Sequence, residues 1–124
     1  MMKTIITRLA FCITLALIAL PLDTANAKSP GEINEDAAKA FEASDRTLNK
    51  VYKELTAKLD EQAQEKLKAA QRVWVQFRDA HGEFVADAGA RGGRLAPLLY
   101  EEARKILTDA RIKELQRAIK AQGE

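Results

Sequence analysis

The sequence is poor in the side chains that carry most covalent and metal chemistry. Among its 124 residues there is one cysteine, Cys12, and one histidine, His81. A disulfide scaffold and a four-ligand zinc site of Cys and His are both excluded. Serine is scarce as well, with only Ser29 and Ser44. The formal net charge is +2, too small an excess for a protein that binds nucleic acid by neutralising many phosphates. Glycine is absent from Glu32 to His81 and proline from Gly31 to Ala96. No segment alternates with the period of two that a half-buried strand shows, so no sheet is expected.

The first residues read as a secretory leader. Lys3 and Arg8 provide a basic start, Leu9 to Leu20 is an apolar run, and Ala25-Asn26-Ala27 offers small residues where a signal peptidase cuts. The run is far shorter than the roughly 20 apolar residues that span a bilayer. Cys12 lies inside the run behind Phe11, a poor setting for lipid attachment. Residues 1–27 are therefore expected to be a cleaved signal peptide and residues 28–124 a single helical domain without a stable membrane anchor. Loss of Lys3, Arg8 and Asp23 lowers the net charge to +1, and loss of Met1, Met2 and Cys12 leaves no sulfur. The destination is an oxidising periplasmic or extracellular space, which such a chain enters with nothing to oxidise.

The remainder is rich in Ala, Glu, Lys, Leu and Gln, all strong helix formers. From Ile33 the apolar and small positions fall at Ala37, Phe41, Ser44, Leu48, Val51, Tyr52, Leu55 and Leu59, steps that keep to one side of a helix. Asp60 suits the N-cap of a second helix, with Glu61 and Glu65 in its first turns. That helix carries Ala63, Leu67, Ala70, Trp74, Phe77, His81, Phe84 and Val85 on one stripe. The Leu59-Asp60 junction leaves open a hairpin or a kinked continuation. Gly89 to Arg94 then holds three glycines, the clearest turn in the chain.

Beyond the turn, Leu95, Leu99, Ala103, Ile106 and Ala110 form a third stripe, whereas Ile112, Leu115 and Ile119 point to the other side of the same helix. A break at Thr108, acting as N-cap for a short fourth helix, would bring both sets inward. The alternative is an unbroken helix with a second apolar face for a partner. The fold class expected is all-α, a small bundle of three to four helices with short connections.

Catalysis finds few candidates. Ser29 lies in a leading segment read as unstructured, Ser44 falls on an apolar stripe, and His81 reads as a packed, hydrogen-bonded side chain. Asp79, Glu83 and Asp87 recur at helical spacing but read as a solvated face. Gly89 to Arg94 lacks the Lys-Ser/Thr of a phosphate loop. A chain this short also offers little room for a glycosidase cleft. No catalytic residue, cofactor or metal is expected. Charge is uneven, net −2 over Lys28 to Ala90 and +3 over Arg91 to Glu124. The basic end reads as a solvated surface with pairs such as Glu101 and Lys105, or as an anion-facing patch of Arg91, Arg94, Arg104, Arg111 and Arg117.

Four motifs carry a resemblance. They are Asp45-x-x-Leu48-Asn49-x-x-Tyr52-x-x-Leu55, Gln71-Arg72-x-Trp74-x-x-Phe77-Arg78-Asp79, Gly92-Gly93-x-x-x-Pro97-x-x-Tyr100 and Thr108-x-x-Arg111-x-x-x-Leu115. Together they resemble the LprI-like family of small secreted bacterial proteins, named for a mycobacterial lysozyme inhibitor, across about Asp36 to Arg117. The resemblance implies a compact helical domain and a protein partner such as lysozyme or a related muramidase. It also implies a departure, because relatives carry cysteines at the positions of Gly82 and Ala103, a pair that suits a bridge between the second and third helices.

The motif residues have structural readings of their own. Leu48, Tyr52, Leu55, Trp74 and Phe77 fit a core. Arg78 suits a brace with Asp45 or Asp79, Gln71 one with backbone or Tyr100, and Asn49 can join it. For partner binding, Arg91 and Arg94 in the glycine turn are the candidates, as cationic donors able to enter a cleft lined by carboxylates. The competing expectation is a cell-envelope accessory or structural interaction protein that leaves lysozyme alone and docks through exposed Ile112, Leu115 and Ile119.

Overall fold

The computed structural model describes residues 27–123 and contains three helices, α1 (Pro30–Lys58), α2 (Glu61–Ala90) and α3 (Ala96–Ala121). The leader read over residues 1–27 lies, apart from Ala27, outside the described residues. Among those residues no helix is long and apolar enough to cross a membrane.

The first two helices start where a side chain satisfies their free amides. Ser29 caps α1 in a capping box, its hydroxyl accepting from the Glu32 amide at 3.3 Å while the Glu32 carboxylate accepts from the Ser29 amide at 2.7 Å. The segment read as unstructured is therefore an ordered helix start. Asp60 caps α2 as expected, accepting from the Ala63 amide at 2.8 Å. Gln64 reaches back from α2 and donates to the carbonyls of Thr56 and Leu59, tying the start of α2 to the end of α1. The two-residue junction is thus a hairpin: Asp45 on α1 meets Arg78 on α2 across it.

The third helix lies in the groove of this hairpin. Gly89 packs against Leu99, Gly82 against Tyr100 and Arg104, and Gln71 bonds Arg111, so α3 runs antiparallel to α2. Asn34 bonds the Arg94 carbonyl and Ser44 bonds Asp109, so α3 runs parallel to α1. Leu48, Val51 and Leu55 of α1 and Ile112 and Leu115 of α3 form the buried core, with Tyr52, Leu67, Trp74 and Ile119 packed on it.

This central position corrects two expectations. The third helix is unbroken, and Thr108 caps nothing: it sits mid-helix with 0% exposure. Ile112 and Leu115 form no exposed docking patch, because they are core residues at 9% and 3% exposure. A helix lodged between two others has cover on more than one side. α3 meets α2 through Leu99, Tyr100, Arg104 and Arg111 and meets α1 through Asp109, Ile112 and Leu115, so two different sets of its positions are covered at once.

A third expectation fails on α2. Phe77 is 55% exposed and Phe84 66%, both outside the core that Trp74 joins. Apolar residues occur all around the middle of α2, but only the side carrying Leu67 and Trp74 faces the other helices.

Candidate functional site

Most of the polar motif residues converge on one assembly at the junction of the three helices. Arg78, 5% exposed, donates from Nη1 to Asp45 at 2.8 Å and from Nε to Asp79 at 2.9 Å. Arg104 donates to the same Asp79 oxygen at 3.1 Å and to Glu101 at 3.1 Å. Asn49 donates to the second oxygen of Asp45. Arg111 donates from Nε to Gln71 at 3.1 Å and from Nη1 to Glu114 at 2.8 Å. Gln71 therefore takes Arg111 as its partner, in place of backbone or Tyr100, and Glu101 pairs with Arg104 in place of Lys105.

The same three arginines alternate with three aromatic rings. Arg104 lies over Tyr100 at 4.7 Å and over Phe41 at 3.8 Å; Arg78 lies over Phe41 at 5.0 Å and Trp74 at 5.3 Å; Arg111 lies over Trp74 at 5.7 Å. The order Tyr100, Arg104, Phe41, Arg78, Trp74, Arg111 makes a ladder through the bundle, each guanidinium within the range where a ring quadrupole attracts a cation. Guanidinium suits this place because it stacks flat and donates in its plane at once. Arg104 and Phe41 belong to the ladder but to none of the four motifs. Phe41 was marked only by its place on the α1 stripe, and Arg104 by its position in the basic end.

The electrostatics follow from these contacts. Partial burial pushes the Asp79 pKa up, but the hydrogen bond from Arg78 and the charges of Arg78 and Arg104 outweigh it and hold the group below its ordinary value. For Arg78, burial pulls the pKa down, and the bonds to Asp79 and Asp45 more than reverse this. Asp109 is also lowered: burial raises it, and bonds from Lys105 and Ser44 prevail. Each acid and base of the ladder is already matched, so the assembly reads as a brace that sets helix register. The anion-facing patch is correspondingly split, since Arg104 and Arg111 have side-chain exposures of only 15% and 11% and face inward.

Gly82 and Ala103, where the resemblance implies cysteines, are both buried at the α2–α3 contact. A Cβ at residue 82 would lie 2.9 Å from Arg104 Cγ and about 3.0 Å from the Tyr100 ring. The space next to the glycine backbone is filled by the Tyr100–Arg104 end of the ladder.

His81 also departs from expectation. It makes no hydrogen bond among the described residues and stands between Phe77 and Phe84, with ring centroids 5.7 and 6.2 Å away. It lines a shallow hollow of about 200 Å³ with Val85, Leu99 and Ile106.

The glycine turn caps the end of the bundle opposite the hairpin. Gly92 adopts φ +66°, a left-handed conformation that favours glycine. The Gly93 amide donates to Ala90 at 2.8 Å, the Ala96 amide to Gly93 at 3.1 Å, and Asn34 Nδ2 to the Arg94 carbonyl at 3.3 Å. Pro97 in the first turn of α3 fixes the exit. Arg91 and Arg94 are both exposed. Arg91 grips Asp87 with two bonds of 2.9 and 2.7 Å, which raises its pKa, whereas Arg94 makes no ion pair among the described residues.

The family model described as lysozyme inhibitor LprI matches residues 23–115. An uncharacterised protein of Rhizobium meliloti (strain 1021) is 34% identical over 107 residues, 76% of each chain. No solved structure matches. The matched span takes in the whole of α1 and α2, the glycine turn and α3 as far as Leu115. It contains every rung of the ladder, and the chain belongs to the lysozyme inhibitor LprI family.

Proposed function

We propose that the protein is an exported, non-enzymatic binding protein that acts on lysozyme or a related muramidase in the periplasm or outside the cell. The observation that carries this reading is the glycine turn. It is held from both helices and from Asn34, and it projects Arg91 and Arg94 from one end of a rigid bundle. A muramidase cleft is lined by carboxylates. A cationic turn whose backbone is already set loses little conformational entropy on entering such a cleft. Arg94 is the stronger donor, because Arg91 must first share its guanidinium with Asp87. The leader over residues 1–27 supports export, and family membership supports the class of partner.

The test is a lysozyme turbidity assay with the purified protein at several salt concentrations. Inhibition that weakens as salt rises is the expected result. Replacing Arg91 and Arg94 together by alanine lowers inhibition while the helical circular dichroism stays the same. Unchanged inhibition removes the turn from the mechanism, and an absence of inhibition at every salt concentration favours an envelope accessory role.

A further inference from the structure

The exposed cations of the bundle are matched near one end and free near the other. Towards the glycine turn Lys28 pairs with Asp36, Lys39 with Glu35 and Arg91 with Asp87. Towards the hairpin Lys50 and Lys58 on α1 and Lys113, Arg117 and Lys120 on α3 are all exposed. Among the described residues none of these five makes an ion pair.

The five frame one place. Lys50, Glu54 and Lys58 follow one another at four-residue steps and so share a side of α1, while Lys113, Arg117 and Lys120 keep the i, i+4, i+7 spacing of one side of α3. Between the two rows lies a hollow of about 370 Å³, lined by Val51 and Glu54 from α1 and by Gln116, Ile119 and Lys120 from α3. Five cations against the one carboxylate of Glu54 leave the patch strongly positive, in a chain whose charges otherwise nearly cancel.

We infer that this patch docks on an anionic phospholipid surface. Cationic rows beside an apolar floor of Val51 and Ile119 are complementary to an amphipathic anion, whose phosphate meets the rim while its less polar part meets the floor. A soluble polyanion would make no use of that floor. Four of the five cations are lysines, and an ammonium is a mobile point charge that serves many headgroup arrangements, whereas one fixed phosphate is better held by the fork of arginine. The patch begins roughly 25 Å along α3 from the glycine turn, at 1.5 Å per residue. Arg94 therefore stays clear of a surface that holds the hairpin end, and the inference does not depend on what the turn binds.

Cosedimentation with lipid vesicles tests this, using the protein purified after export, without the apolar run of its leader. Vesicles of phosphatidylcholine with about one third phosphatidylglycerol should bind it, phosphatidylcholine alone should not, and binding should fade as salt rises. Arg117→Gln with Lys120→Gln should lower the partition coefficient roughly 25-fold, about fivefold for each charge. Glu54→Gln should raise it about fivefold, a gain that misfolding cannot produce. Lys39→Gln removes the same unit of charge near the other end of the bundle and should leave binding nearly unchanged. Absence of binding to the anionic vesicles overturns the proposal, including the case in which soluble polyphosphate binds instead. Equal binding to both kinds of vesicle also overturns it, as does a loss in Lys39→Gln as large as that of either patch cation. Lysozyme inhibition is read separately, and its presence or absence does not alter these outcomes.

Discussion

Arg78 Nη1 donates to Asp45 Oδ1 at 2.8 Å, joining the two arms of the α1–α2 hairpin at a level where α3 lies in the groove between them. The guanidinium is almost wholly buried, and its charge is answered by Asp45 on one side and Asp79 on the other. Removing a carboxylate from a fully buried pair costs about 3–5 kcal/mol, because the cation is left uncompensated. Asp45 is 35% exposed and Asp79 remains, so Asp45→Ala is expected to cost about 2 kcal/mol. Arg78→Lys is expected to cost a similar amount, because an ammonium cannot reach both carboxylates and stack on Phe41. Urea unfolding with an unchanged slope is the check, and a midpoint equal to that of the parent would remove the brace from the account of stability.

Acid should attack the same assembly. Asp79 and Asp109 both lie below the ordinary aspartate value of 3.8 in the folded protein. A carboxyl group that binds its proton more weakly when folded contributes stability above its unfolded pKa and loses it as pH falls through the folded one. The melting temperature should therefore be level from neutral pH to about pH 5 and fall below about pH 4. Asp79→Asn should start lower at neutral pH and decline less steeply in acid. Parallel curves for parent and variant would show that Asp79 plays no part in the decline.

Among the described residues the Thr108 hydroxyl has no hydrogen-bond partner, although its residue is fully buried in the middle of α3. An unpaired buried hydroxyl is destabilising, whereas valine has nearly the same shape and a similar helix propensity. Thr108→Val should raise stability by about 1 kcal/mol. A fall in the denaturation midpoint would mean that the hydroxyl is satisfied after all in solution.

Thr108 also shows why parts of this structure could not be read from the chain. Its residue type fits an N-cap, and the rotation of the apolar stripe at that point fits a break. Both inferences assume a helix with one covered side, and α3 has cover from α1 and α2 together. The same ambiguity conceals the exposure of Phe77, because Trp74 and Phe77 are only one turn apart and the sequence does not say which way α2 is turned. Asp60, by contrast, announces its cap through local chemistry alone, and Ser29 with Glu32 carries an equally local signal of a helix start. The pairing of Arg78 with Asp45 and Asp79 was legible because a buried arginine in a helical protein must find carboxylates. Arg104 and Phe41 were not, since their partners lie on other helices and become neighbours only when α3 enters the groove.

Gly82 tests how tightly that groove is closed. In an exposed helix, glycine to alanine gains about 1 kcal/mol from backbone propensity. Here the new Cβ would sit 2.9 Å from Arg104 Cγ, near the root of that side chain, and about 3.0 Å from the Tyr100 ring. Neither can move without disturbing the Arg104 contacts to Asp79 and Phe41. Overpacking of this kind costs about 1–3 kcal/mol, so Gly82→Ala should be destabilising on balance. A stabilised variant would mean that the α2–α3 contact yields easily.

Gly92 offers the opposite case, where space is free and conformation is not. A Cβ there meets nothing within 4 Å, yet φ is +66°. Any loss of stability on substitution is therefore a backbone effect, expected at about 1 kcal/mol for alanine and less for asparagine, which tolerates the left-handed region. If the pre-set turn is what enters a muramidase cleft, inhibition should follow the same order, glycine above asparagine above alanine, with both arginines still present. Asn34→Ala should act alike, since it frees the Arg94 carbonyl from α1. Equal inhibition by all these variants, alongside a measured loss of stability in Gly92→Ala, would separate the rigidity of the turn from its charge and leave the arginines alone to account for binding.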